Sequence, residues 1–213
     1  MKKVFVLGLA LLLSLGVVTE PNNVAAETEK QSLTEAEVKF ANDLRRLWVD
    51  HVLWTSNYIT SATTAGAEDQ QQVLERLLKN QEDIGNAIKP VYGEDAGNEL
   101  TELLKEHIVI AGKIVDAAKV GDQSKVDQLN EEWVKNADDI AVFLSQANPH
   151  LAKDELKKLL YMHLELVSDD LTASLQKDWE ARIAAIDEGM THIILMSDVI
   201  ADGVIKQFPD KFN

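Results

Sequence analysis

The stretch LTELLKEHIVIAGKIV, residues 100–115, sets a histidine, His107, in the middle of an otherwise apolar helical face. The same phrase occurs before and after it. LRRLWVDHVLWTSNYI starts at Leu44 and LKKLLYMHLELVSDDL at Leu156, so the histidines fall at 51, 107 and 163. All three blocks read Leu-x-x-Leu-(Leu/Trp)-x-x-His at a constant offset of 56 residues. A fixed period of this kind marks an internal repeat and decides the fold before any local reading.

The offset holds well beyond the histidines. Asn42/Asn98/Asp154, Ile59/Val115/Leu171, Glu75/Glu131/Asp187 and Ile84/Ile140/Met196 all align. The chain thus divides into three units, near residues 40–95, 96–151 and 152–207. Within each, apolar residues recur at steps of three and four, strand-like alternation is absent, and good helix formers dominate. Gly66 and Gly121 mark the turns of the first two units, whereas the third turn, near Lys177 and Asp178, has no glycine. Pro90, Pro149 and Pro209 are expected to close the second helix of each unit, because a missing amide ends helical bonding. The pattern predicts six helices, over about 33–65, 68–89, 95–120, 123–146, 152–176 and 179–206. The expected class is all-α: three tandem helical hairpins forming a six-helix bundle or a short α-superhelix, both open at this stage.

The N-terminus, MKKVFVLGLALLLSLGVVTEPNNVAAETEK, has two lysines, an apolar run from Val4 to Val18 and small residues at 25 and 26. Residues 1–26 are predicted to be a secretory signal peptide cut after Ala26, leaving 27–213 as a single helical domain. The apolar run is short for a membrane span and no later segment is long and uncharged enough to be one. The expected location is therefore secreted or in the cell envelope. Without cysteine there is no lipid attachment, disulfide framework or thiolate ligand. Losing Lys2, Lys3 and Glu20 with the leader moves the formal charge from −15 to −16. Such a surface repels phosphate backbones and anionic lipids, so nucleic acid and membranes are poor partners. Cations, basic partners and small neutral ligands remain.

At 100° per residue, Leu100, Leu103, Leu104, Ile110, Ala111 and Ile114 all fall within about 60° of His107. His51 and His163 lie on equivalent arcs, so all three are predicted to be buried. A buried imidazole needs a partner, since an unsatisfied polar group costs about 1–3 kcal/mol. Asn80, Asn136 and His192 supply one, again 56 apart. Each stands as far beyond its turn as the histidine stands before it, so each pair is predicted to face across its own hairpin.

Two readings are open. One is a repeated imidazole–amide bond that fixes helix register. The other has the units close around an axis and gather His51, His107, His163 and His192 as ligands for a divalent transition metal, since neutral imidazole is a common metal ligand inside helix bundles. Asp50, Glu106, Asp83 and Asp139 border the same faces and could orient the rings as acceptors. Asp170, where the other units hold Tyr58 and Ile114, lies two turns past His163, too far along the helix to share its ion. Enzyme templates are absent: there is no Glu-x-x-His pair, no His-Glu-x-x-His and no nucleophile elbow. A non-enzymatic binding protein is the expected function, and an envelope scaffold the alternative.

The strings LWVDHVLWTSNYI, LLKNQEDIGNAIKPVYGEDAGNELTELLKEHI and EWVKNADDIAVFL resemble a widespread group of small, often exported, all-helical bacterial proteins without an established function. The resemblance covers nearly the whole chain after the leader and implies no residue roles. Some members carry the name glycosyltransferase. That activity normally needs an α/β sheet and a diphosphate-binding loop, and the sequence holds the pattern of neither.

Overall fold

The computed structural model describes residues 33–213, so the leader reading at 1–26 lies outside the described residues. Six helices succeed one another: α1 (Glu35–Thr63), α2 (Gln70–Tyr92), α3 (Glu94–Lys119), α4 (Gln123–Ala147), α5 (Lys153–Gln176) and α6 (Trp179–Gln207). A short 3-10 turn over Pro209–Lys211 ends the chain. Among the described residues there is no strand, and no helix is long and apolar enough to cross a membrane.

Local chemistry explains where the helices start and stop. Thr34 opens α1 with a capping box: its hydroxyl accepts from the Glu37 amide at 3.1 Å while the Glu37 carboxylate accepts from the Thr34 amide at 2.6 Å. Asp122 and Asp178 cap α4 and α6 by accepting from the amides of Lys125 and Ala181. The turn without a glycine uses Lys177 at φ 58°, the backbone state that Gly121 holds at φ 74° in the preceding unit. Both turns close with a bond from the amide of the next aspartate to an alanine carbonyl five residues back, Asp122 to Ala117 and Asp178 to Ala173. One expectation fails. Pro90 does not end α2, which runs on to Tyr92 and stops at Gly93 with φ 90°. Loss of one amide near a helix end is tolerable where the next residues still complete the final turn.

Consecutive helices pack side by side, and α1 returns to pack on α6, so the three hairpins close into a ring. This removes the superhelix alternative. Three contacts lock the closure: Arg45 of α1 pairs with Asp198 of α6, the Thr34 hydroxyl donates to the Phe212 carbonyl at 2.6 Å, and Phe40 lies against Phe212 at 5.1 Å. α1 also touches α3 and α5 across the interior. The seam between α2 and α3 is unusually close. A Cβ on Gly85 would lie 1.9 Å from the Thr101 hydroxyl oxygen and 2.5 Å from the Gly97 carbonyl oxygen. The Gly-x-Ala…Ala-Gly stretch across the junction of units one and two therefore lets two backbones meet, whereas the later equivalents of Gly85 are Ala141 and Ser197, both fully buried.

Candidate functional site

His51, His107 and His163 are all buried, at 2%, 3% and 3% exposure, and they converge on one another. Nε2 of His51 lies 3.3 Å from Nε2 of His163, with ring centroids 5.3 Å apart. The His107 ring stacks at 6.1 Å from that of His163. Trp48 and Trp133 flank the group, at 5.6 Å from His51 and 5.1 Å from His107. The contacts of α1 across the interior bring repeat-equivalent positions to one level, so an imidazole every 56 residues becomes a cluster.

Burial sets the protonation state. The ordinary imidazole value of 6.5 falls to about 3 at His51, through desolvation first and the neighbouring His107 second, with Gln81 acting in the opposite sense. Desolvation takes His107 down to about 4, against the bond to Asn136. His163 is pushed well below 6.5 by desolvation and by the other histidines. All three are neutral at pH 7, the form that carries a lone pair for a metal or a hydrogen bond.

The partner across the hairpin is direct in only one unit. His107 Nδ1 meets the Asn136 amide oxygen at 2.7 Å, so this nitrogen is the donor and Nε2 keeps its lone pair. Asn80 does not bond His51, and His192 does not bond His163. Instead the three partners act alike on the backbone. Asn80, Asn136 and His192 each donate to the carbonyl four residues before the histidine, at Leu47 (2.9 Å), Leu103 (3.1 Å) and Leu159 (2.8 Å). The levels across each hairpin match the expectation, but the acceptor is backbone. His192, occupied with Leu159 and standing where the asparagines stand, is not part of the cluster.

The expectation for the acidic residues also fails. Asp50 pairs with Arg46 and Arg76, Asp83 with Lys79, and Asp139 with Lys135, all on the partly exposed flanks. Glu106 reaches only the Asn136 amide, at 3.4 Å. None orients a ring.

Sequence reasoning passed over Gln81, which is fully buried on α2. Its amide nitrogen donates to Leu77 O and Asn80 Oδ1, while its oxygen and His51 Nδ1 both lack a hydrogen-bond partner among the described residues. The signal was a break in the repeat, since the equivalent positions hold Ala137 and Ile193. Asp170 likewise pairs with a residue unique to its unit: Arg182 Nε donates to its carboxylate at 3.0 Å, and Ser174 does so at 3.2 Å. The same position pair is Tyr58 and Gln70 in unit one and Ile114 and Val126 in unit two.

As the side chains stand, no three His, Asp or Glu groups among the described residues enclose a metal ion. No protein-family model matches the chain, and neither a curated protein nor a solved structure is found to match it.

Proposed function

We propose that this is an exported, non-enzymatic binding protein whose central imidazoles, His51, His107 and His163, take up a transition-metal ion. The observation that carries the reading is the 3.3 Å separation of the His51 and His163 Nε2 atoms. Two nitrogens on a tetrahedral zinc, each about 2.0–2.1 Å from it, are about 3.3 Å apart. Asn136 holds the His107 tautomer that keeps Nε2 free, as the carbonyl partners of metal-bound histidines do. Gln81 faces His51 with an unpaired oxygen beside an unpaired Nδ1, and a small shift would let it play the same part. His107, at 6.1 Å from His163, has to draw in toward the pair.

A second reading keeps the cluster as a structural tie. Its support is the threefold set of side-chain donors to Leu47, Leu103 and Leu159, which sets the level of each hairpin with no ion.

Metal analysis of tag-free protein, with titration of Zn²⁺, Cu²⁺, Ni²⁺ and Co²⁺ into the chelated form, separates the two. The metal reading expects one ion per chain, a rise in Tm that grows with free ion, and loss of both in His51→Leu. A tightly bound Co²⁺ would also show the visible bands of a nitrogen-ligated ion. A chelated protein that shows no shift and no bands with any of the four ions overturns it.

A further inference from the structure

The third unit departs from the other two at three aligned positions that meet in one place. Gly189 stands where Leu77 and Trp133 stand, and both of those are buried, with Trp133 against His107. Asp170 and Arg182 stand where the other units hold Tyr58 with Gln70 and Ile114 with Val126. Around Gly189 lies a cavity of about 20 Å³ whose wall includes Thr55, Ser56, His163 and Asp170. A water molecule needs roughly 10–15 Å³ and two or more polar partners. The opening has both. A Cβ on Gly189 would meet nothing nearer than Val52 Cγ1 at 3.8 Å, so the glycine is not required by close backbone approach. The Arg182 guanidinium binds two groups of this wall, the Asp170 carboxylate at 3.0 Å and the Ser56 hydroxyl at 3.0 Å, and reaches on to the Thr60 hydroxyl at 2.7 Å.

We propose that this seam of α1, α5 and α6 is the access route to the imidazole cluster: a water-sized passage, walled by Thr55, Ser56 and Asp170, that admits solvent to His163. Two more enclosed cavities, about 30 Å³ each, are almost wholly apolar in lining, and the larger clefts, about 410 and 380 Å³, are lined by no histidine. As a route for ions the passage rests on the metal reading; as a route for water it does not. Filling the glycine with its own repeat equivalent closes it, and replacing a helix-interior glycine costs the fold nothing in backbone terms.

The test uses the full metal-free chain with ¹⁵N-labelled histidine. Solvent exchange of the ring N–H is measured for the three buried histidines, together with backbone amide exchange in α5. His163 is expected to exchange at least about tenfold faster than His51 and His107. Gly189→Leu should bring it to their rate while leaving the α5 amides unchanged. The double variant Asp170→Ile with Arg182→Val, which copies unit two, should slow it as well, and Gly189→Ala serves if the leucine disturbs the fold. Equal rates at the three rings, an unaltered His163 rate in the filled variants, or α5 amides slowed by the same factor would each overturn the passage, the last by showing that exchange runs through helix opening. In a parallel arm, stopped-flow uptake of Co²⁺ is expected to slow in Gly189→Leu with the final amount bound unchanged. Failure of the wild-type chain to bind Co²⁺ counts against the metal reading, and the ring exchange rates decide the passage in either case.

Discussion

At the scale of single residues, the side chains that matter most are those whose polar atoms have no water to turn to. Asn136 serves two such atoms, accepting from His107 Nδ1 and donating to Leu103 O. Asn136→Ala strands His107 Nδ1, takes the extra donor from Leu103 O, and is expected to cost about 1–3 kcal/mol in urea unfolding. Replacing ring and amide together, as His107→Leu with Asn136→Leu, leaves only the Leu103 carbonyl short of its extra donor. The double variant should therefore be less destabilised than Asn136→Ala alone, which a double-mutant comparison checks. Lys177 offers the opposite case. A non-glycine residue at φ 58° carries a penalty of about 1–2 kcal/mol, so Lys177→Gly should raise the melting temperature. The absence of glycine at this turn made it the least legible of the three, yet the chain adopts the same geometry there because the bonds from Asp178 to Ala173 and Ala181 hold it.

Among helices, pairing depends on how closely two backbones can approach. α2 and α3 meet through Gly85 and Gly97, with Thr101 filling the remaining space. Gly85→Ala must push α2 away from α3, because its Cβ would fall against the Gly97 carbonyl, which cannot rotate aside. Overpacking of this kind costs about 1–3 kcal/mol, and thermal melting should show the loss despite the better helix propensity of alanine. The requirement was visible in the sequence only as an isolated pair of glycines within helical patterns. Their contact is between two helices, and helical periodicity carries no information about interaxial distance. The same limit explains Pro90: a proline signals a missing amide, but whether the final turn survives depends on the residues after it, here Val91 and Tyr92.

For the molecule as a whole, closing the ring buries three bases that unfolding would release to water. Unfolded, each imidazole takes up a proton as pH falls through about 6.5, whereas folded His107 resists until about 4 and His51 until about 3. Between these values the unfolded chain binds more protons, so stability falls as the solution is acidified and is fully present above 6.5. Each such histidine contributes a slope of about 1.4 kcal/mol per pH unit. Asp170 works in the other sense: burial raises its carboxyl despite Arg182, so its protonation in acid favours the folded state and offsets part of the loss. Urea midpoints of the metal-free protein should drop steeply from about pH 6.5 to about 4. The double variant at 107 and 136 should flatten that profile by the share of one histidine. A profile unchanged by the double variant would mean that His107 is not protected in the folded protein.

The 56-residue period, the six helices and the height of each histidine along its own hairpin were determined by the sequence, because each is set by local bonding and by the 3.6-residue helical repeat. Which atom each polar group meets was left to the tertiary structure. His51 finds His163, 112 residues away, rather than Asn80 across its own turn, and the three donors at 80, 136 and 192 find backbone carbonyls. A side chain's height along a rod can be had by counting residues. Its final direction, and the closing of α6 onto α1, depend on the volumes and charges of helices that come together only when the whole ring has formed.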